Sequence, residues 1–299
     1  MLARKIIDQC RVSPGDRVRL KNYDPGWAQT KQLKHLGKDE VKKRARTILE
    51  KNLYELAAAQ DLLYANDRYA VLVILQAMDA AGKDATIKHV MSGINPQGCQ
   101  VFSFKKPSDE ELDHDFLWRY AQRLPQRGRI GIFNRSYYED VLIVKVHPEL
   151  LEQRKLPPGN RGKSFWQARY EDINALERHL VRNGTKIVKV FLNVSKNEQK
   201  RRFLERLERP EKNWKFSAAD IAERAYWDHY MKAYEAALTA TSTDWAPWHI
   251  VPADHKWITR AIVADLLSAT IRSLKLHYPK ANRKEREALQ AARKQLMKE

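Results

Sequence analysis

The strongest chemical signal in the chain is Gln76-Ala77-Met78-Asp79-Ala80-Ala81-Gly82-Lys83-Asp84-Ala85-Thr86. It follows a continuous apolar run, Tyr69 to Leu75, and precedes a helical pattern, which is the context a phosphate-binding loop requires. A glycine at 82 lets the backbone approach an anion closely, and a helix opening near Lys83 turns unpaired N–H groups toward phosphate oxygens. Lys83 adds a point charge. The expected contacts are therefore Ala80, Ala81, Gly82, Asp84, Ala85 and Thr86, with Lys88 a turn further on. The pattern departs from GxxxxGK[ST], with Ala77 at the first glycine and Asp84 at the metal-binding hydroxyl. A plain strand-to-helix turn is the bland alternative. Asp79 argues against it, because a carboxylate inside a phosphate cradle is repelled unless a divalent cation intervenes. Asp79 reads as a magnesium ligand, direct or through water.

A second segment, Asn134-Arg135-Ser136-Tyr137-Tyr138-Glu139-Asp140-Val141-Leu142, follows a strand-like run at Arg129–Phe133. A strand delivers such residues to the carboxyl edge of an open α/β sheet, where ligands bind. The planar fork of Arg135 suits phosphate oxygens, and Glu139 could hold a metal or tune the acceptor. Pairing of Arg135 with Glu139 on a surface turn is the competing reading. In a third segment Arg202, Arg206 and Arg209 share one helical face, with Glu205, Glu208 and Glu211 interleaved. Such a run is usually a solvated, ion-paired helix. Its place after a strand, before a turn and another helix, is where P-loop kinases build a lid over phosphates.

The elements that must hold these segments are legible in outline. Candidate strands are Arg68–Leu75, Cys99–Phe104, Arg129–Phe133, Lys186–Asn193 and Trp248–Val251. Helical patterns run from about Lys34 to Tyr64 and over Ala85–Ser92, Asp109–Leu124, Phe165–Asn183, Lys196–Arg209, Ser217–Thr239 and Trp257–Leu276. The alternation predicts an α/β fold, three layers about a mostly parallel sheet. One domain spans residues 1–279, with a helical N-terminal extension to about 66 and a lid at about 205–225. A charged helical tail follows at 280–299. A helix with Trp227, Tyr230 and Tyr234 reads as exposed, and with the tail it predicts a homo-oligomer, dimer or tetramer.

Composition narrows the partner. The chain has 299 residues, 43% hydrophobic and 31% charged, and a net charge of +18, which calls for a polyanion. Two cysteines exclude a disulfide framework. Polar residues follow the start where a signal peptide needs an apolar stretch, and the apolar runs are too short for a bilayer, so a cytoplasmic protein without membrane contact is expected. A nucleic-acid-binding P-loop protein would share the charge, but no recognition motif for nucleic acid is apparent.

Taken together, the three segments resemble the polyphosphate kinase 2 family. The likeness rests on Gln76–Asp84, on Phe133–Leu142 and on Lys212-Asn213-Trp214-Lys215-Phe216, and covers nearly all of Leu53 to Tyr278. It implies a thymidylate-kinase-like P-loop fold with a helical lid. The implied reaction is reversible, magnesium-dependent transfer of a phosphoryl group between inorganic polyphosphate and adenine or guanine nucleotides, with Mn²⁺ as a substitute for Mg²⁺. Carried across by motif, Asp79 and Lys83 are the loop carboxylate and lysine, Arg135 binds phosphate, and Arg201, Arg202 and Arg206 lie among the lid-side arginines. Asp79 and Glu139 are the implied metal ligands. Asn134 stands where many relatives have Asp, and Ala77 where they have Gly. Tyr138-Glu139 is similar to the branch acting on both mono- and diphosphates, which implies AMP to ADP to ATP; the alternative is a diphosphate-limited enzyme. A nucleotide phosphate is already ionised, which fits the absence of His and Cys from both motifs. Lys105, Lys106, Lys88 and Lys145 are candidates for a groove along which polyphosphate lies.

Overall fold

The computed structural model describes residues 4–27 and 37–299. Five parallel strands form the sheet: β1 (Ala70–Ala77), β2 (Cys99–Ser103), β3 (Ile130–Asn134), β4 (Thr185–Asn193) and β5 (Trp248–Pro252), in the order β2-β3-β1-β4-β5. The helices in chain order are α1 (Arg4–Cys10), α2 (Lys38–Asn66), α3 (Lys83–Val90), α4 (Asp109–Asp113), α5 (Trp118–Ala121), α6 (Ile143–Val146) and α7 (Lys163–Arg182). They continue as α8 (Lys196–Glu208), α9 (Pro210–Asn213), α10 (Ala218–Glu223), α11 (Trp227–Thr241), α12 (Lys256–Ser273) and α13 (Arg283–Leu296).

β1 is buried along its whole length, as a strand with neighbours on both edges and layers on both faces must be. On β4, Lys189 and Phe191 point to the layer made by α7 and α11, where Phe191 packs on Tyr234 at a ring distance of 4.4 Å. Val188 and Val190 point the other way, toward the layer in which α12 packs on α2 and α3. This is the expected three-layer arrangement. Because the chain leaves β1 toward β2 and leaves β3 toward β4, the order reverses between β1 and β3. That gap is the topological switch point, where open α/β sheets bind ligands. Leu75 pairs in register with Asn134, so the loops after β1 and β3 emerge side by side.

A buried polar cluster braces the second loop from beneath. Lys189 Nζ donates to Glu177 Oε2 at 2.6 Å, to the Tyr138 hydroxyl at 3.0 Å and to the Thr241 carbonyl at 2.6 Å. The hydroxyls of Tyr137 and Tyr138 donate to Glu177 Oε1 at 3.0 and 2.8 Å. Lys189 and Glu177 are both fully buried, so their pairing is obligatory: either charge alone in this environment would be strongly unfavourable.

Several sequence expectations are corrected. Asp109–Leu124 is not one helix; it breaks after α4, where His114 is extended and Asp115 Oδ1 accepts from the Leu117 N–H at 2.8 Å. Ser217–Thr239 divides into α10, a 3-10 turn (Arg224–Tyr226) and α11. Trp227, Tyr230 and Tyr234 are buried within the chain rather than exposed, Tyr234 on Phe191 of β4, Tyr230 by Glu223 and His147, and Trp227 under Lys196, so they give no surface for association. In the N-terminal extension, turns separate α1 from α2. After α1 a turn at Gly15 (φ +85°) follows a stretch in which Arg11 bridges antiparallel to His249 beside β5. The helix expected from about Lys34 begins at Lys38, and residues 34–36 lie outside those described. Among the described residues no helix is long and apolar enough to cross a membrane.

The Lys189 cluster yields a prediction. Lys189→Met strands the Glu177 carboxylate, and urea unfolding is expected to show a loss of about 3–5 kcal/mol, the range for breaking a buried pair. A loss below about 1 kcal/mol would show that the cluster is not holding the fold together.

Candidate functional site

The phosphate loop grows directly out of β1. Ala80 (φ +59°) and Gly82 (φ +107°) both take the left-handed conformation, and Gly82 caps α3. That double bend folds the chain back so that Lys83, buried in the first turn of α3, turns its ammonium toward the strand end. Its Nζ donates to the Ala77 carbonyl at 2.8 Å and reaches the Met78 carbonyl at 3.5 Å. Burial lowers the Lys83 pKa to about 8, helped by the neighbouring Arg135 cation, and Asp79, Glu139 and Asp84 oppose the shift.

The loop after β3 meets it. Arg135, also left-handed (φ +66°), is pinned by its N–H to the Leu75 carbonyl at 3.1 Å. Its guanidinium pairs with Asp79 Oδ1 at 2.7 Å, each side chain about one-third exposed (38% and 33%). Arg135 is thus held well above its ordinary pKa, chiefly by Glu139 and also by Asp79. The competing expectation of a plain Arg135–Glu139 surface turn does not describe this geometry, because Arg135 bonds to the phosphate loop. Gln76 links the same groups. In the amide orientation that satisfies both its ends, it donates to Glu139 Oε1 at 2.8 Å and accepts from Ser136 N at 3.0 Å. Asn134 Nδ2 donates to Asp84 Oδ1 at 2.7 Å and to Ser103 Oγ at 3.2 Å.

Three hollows border Arg135; the smallest, about 100 Å³, lies between Asp79, Glu139, Tyr230 and Tyr234, and the two larger ones share a wall. One is a cleft of about 640 Å³ whose walls carry Lys83, Lys105, Lys106, Arg206, Lys212 and Lys215. The other is a pocket of about 330 Å³ with apolar walls that include Phe104, Leu112, Tyr120 and Ile143, and its polar lining includes Arg135 and Glu139. Phe104, Lys105, Lys106 and Arg135 line both.

Most of the residues expected from the sequence converge here. Asp79, Ala80, Gly82, Lys83, Asp84, Ala85, Asn134, Arg135, Arg202 and Arg206 line the cleft, and Glu139 lines the adjoining pocket. Others do not. Ala81 and Thr86 are buried beneath the loop. Lys88 is exposed on α3 outside the cleft, and Lys145 packs over Trp166 and Tyr170. Arg201 is 60% exposed and tied to Glu198 at 2.6 Å, away from the cleft. Arg202 borders the cleft but directs its guanidinium at protein carbonyls. Lys212 belongs to a family motif with no role read from it, and the sequence patterns do not single out Lys256 or Gln199. Lys256 opens the helix after β5, at the same carboxyl edge as the two loops, and that position was the available signal.

A divalent cation would meet suitable donors. Asp79 and Asp84 line the cleft with hard carboxylate oxygens, and Glu139 lines the neighbouring hollows. Among the described residues no group of three or more His, Cys, Asp or Glu could hold a metal ion.

A phosphate loop after the central parallel strand, a second cationic loop at the switch point and a helical segment over both define a P-loop kinase-type phosphotransferase fold. The polyphosphate kinase 2 family model matches residues 38–279, and the chain belongs to that family. It is 54% identical over 295 residues to a Rhodopseudomonas palustris protein named ADP-polyphosphate phosphotransferase, covering 97% of this chain and 98% of that one. It is 44% identical over 269 residues to a Meiothermus ruber protein named AMP/ADP-polyphosphate phosphotransferase, covering 90% and 94%. The solved structure of polyphosphate kinase 2 from Arthrobacter aurescens TC1 superposes with a TM-score of 0.83 at 41% identity, covering 95% of this chain and 96% of that one.

The position of Lys83 predicts a pH dependence. Lys83 is cationic below about 8 and neutral above it, so affinity of the free protein for tripolyphosphate falls as pH rises through that value. The expected slope is up to about tenfold per pH unit. Titration calorimetry across the interval checks it, and Lys83→Met should bind weakly with a flat profile.

Proposed function

We propose that this chain moves the terminal phosphoryl group of inorganic polyphosphate onto nucleoside diphosphates and monophosphates, AMP to ADP and ADP to ATP. The observation carrying the proposal is the meeting of the two larger hollows at Arg135. A long cation-lined cleft suits a chain with about one negative charge per unit, and a smaller apolar pocket suits a base and sugar. Where they join, an acceptor phosphate entering from the pocket reaches Lys83 and Arg135 together with the end of the donor chain.

In the transfer, a terminal-phosphate oxygen of the nucleotide attacks the last phosphorus of the chain. The bridging P–O bond breaks, and polyphosphate leaves one unit shorter. The attacking oxygen is already an anion, so no side chain has to remove a proton. The work left to the protein is alignment and charge neutralisation. Lys83 and Arg135 oppose charge at the transferring group, and Gln76 fixes Glu139 beside it. Mg²⁺, held by Asp79 with Glu139 or Asp84 nearby, would neutralise phosphate charge when bound, and Mn²⁺ could replace it. For Asp79 to serve, its bond to Arg135 has to yield, and phosphate oxygens then offer Arg135 an equivalent partner.

A diphosphate-limited enzyme is the second reading, favoured by the name of the Rhodopseudomonas palustris relative. Comparing initial rates with AMP and with ADP, polyphosphate and Mg²⁺ separates the two: measurable AMP consumption supports the broader activity, and none supports the narrower. A homo-oligomer accompanies the proposal, supported by α13, on which Leu289 and Leu296 face solvent, with Met297 exposed just beyond its end.

Lys83→Ala is expected to lower kcat for ATP formation by about 10²–10³-fold, the range for losing one preorganised electrostatic contact. A luciferase assay reads this, with circular dichroism confirming the fold. Near-normal turnover would remove the loop from the reaction.

A further inference from the structure

We infer that Arg202 is a positioning residue that sets the peptide planes of the phosphate loop, and is not itself a phosphate ligand. A guanidinium has five N–H donors. Here Nε donates to Glu198 Oε1 at 2.7 Å, Nη1 to the carbonyls of Ala80 and Ala81 at 3.0 and 2.6 Å, and Nη2 to those of Ala253 and Asp254 at 2.6 and 3.2 Å. Every donor direction is taken, and the side chain is only 5% exposed.

What this arrangement does follows from peptide geometry. In a trans peptide the carbonyl of one residue and the N–H of the next point in opposite directions. Drawing the Ala81 carbonyl onto Arg202 therefore turns the Gly82 N–H away from Arg202, toward the anion side of the loop. The Ala80 carbonyl is held likewise, while the Ala81 N–H closes a turn onto the Met78 carbonyl at 3.2 Å. Ala80 keeps a left-handed φ that L-residues rarely adopt, so this stretch needs outside contacts to hold it. Gln199, one helical turn before Arg202 on the neighbouring stripe of α8, supplies another: its Nε2 donates to the Asp79 carbonyl at 2.9 Å.

The same contacts join the loop to the segment above it. Gln199 Oε1 accepts from Arg224 at 2.6 Å, at the end of α10, and Arg224 also donates to the Lys196 carbonyl at 3.1 Å. Further along α8, Arg206 lines the cleft and pairs with Asp220 of α10 at 3.4 Å. One helix thus fixes the loop carbonyls with Gln199 and Arg202 and presents a cation to the cleft with Arg206.

Hydrogen exchange on the substrate-free protein, followed by steady-state kinetics, tests the assignment. The kinetic part rests on the proposed activity, whereas the exchange part does not, so the two can fail separately. Arg202→Lys keeps the charge but cannot bridge four carbonyls and a carboxylate. The expected result is exchange about tenfold faster in the peptide covering residues 79–86 with the β1 and β4 cores unchanged, the pattern of a local opening. With it should come a kcat at least about tenfold lower and a polyphosphate KM within about twofold of wild type, the signature of a misplaced site rather than a lost ligand. Arg206→Ala should do the reverse, raising KM without altering loop exchange. Wild-type loop exchange in Arg202→Lys, or a raised KM at unchanged kcat, would overturn the inference. Should Arg202→Lys fail to fold, Gln199→Met is read in the same exchange experiment: local acceleration over 79–86 supports the brace, and unchanged exchange refutes it.

Discussion

Two polyanions must be brought within bonding distance, and their repulsion is the constraint to which the rest of the structure answers. Each pair of unit charges at 4 Å opposes the approach by about 4 kcal/mol at an effective dielectric of 20, and several such pairs arise when a phosphate chain meets a nucleotide. Opposing charge has to be fixed before the substrates arrive, because cations free to move would pay for ordering at the moment of reaction. The switch point between β1 and β3 provides the fixed frame. Register pairing of Leu75 with Asn134 brings Lys83 and Arg135 to the same edge without any long-range adjustment.

Clustered cations repel one another as well, and the chain handles this with two kinds of ion pair. Lys189 with Glu177, and Arg202 beside a part-buried Glu198, are buried and heavily hydrogen-bonded cations; they hold backbone in place and have nothing to exchange with. Arg135–Asp79 and Arg206–Asp220 are part-exposed and face a cleft or its edge. An anion can replace the carboxylate in the second kind with little net change in solvation, because one oxygen partner succeeds another. The distinction between fixed and exchangeable cations is made by burial and by the number of carbonyls each one meets, not by residue type.

That distinction also marks what the sequence could tell. The apolar run before Gln76 and the glycine-lysine bend locate β1 and the loop, because burial on both faces and a left-handed glycine impose their own residue types. Arg135 is legible from its place after a strand. Arg201, Arg202 and Arg206 are not separable that way: they lie within one and a half turns of a charged helix, and their roles depend on whether backbone carbonyls, glutamates or open space lie opposite. Trp227, Tyr230 and Tyr234 mislead for a related reason. A stripe of aromatics announces a buried face but does not say whether the same chain or another subunit buries it; here the chain itself does, with Phe191 on Tyr234, Glu223 and His147 by Tyr230 and Lys196 over Trp227. The short breaks at His114 and Arg224 escape because a single capping carboxylate or a tightened turn interrupts an otherwise helical pattern.

Asn134 and Asp84, the two departures from familiar patterns at the site, account for each other. Asp84 stands where a hydroxyl would ligate metal, and Asn134 stands at the end of the neighbouring strand with its amide nitrogen 2.7 Å from Asp84 Oδ1. A carboxylate at 134 in this geometry would place two anionic oxygens at that separation, which calls for a shared proton or a bridging cation. The amide removes the requirement: it donates to Asp84 with one hydrogen and to Ser103 with the other, so the loop edge is satisfied by protein atoms alone. Asp84 is thereby oriented and still exposed to the cleft, with oxygen lone pairs left for a hydrated cation. The acid at 84 is tolerable in a phosphate cradle because a neutral neighbour holds it.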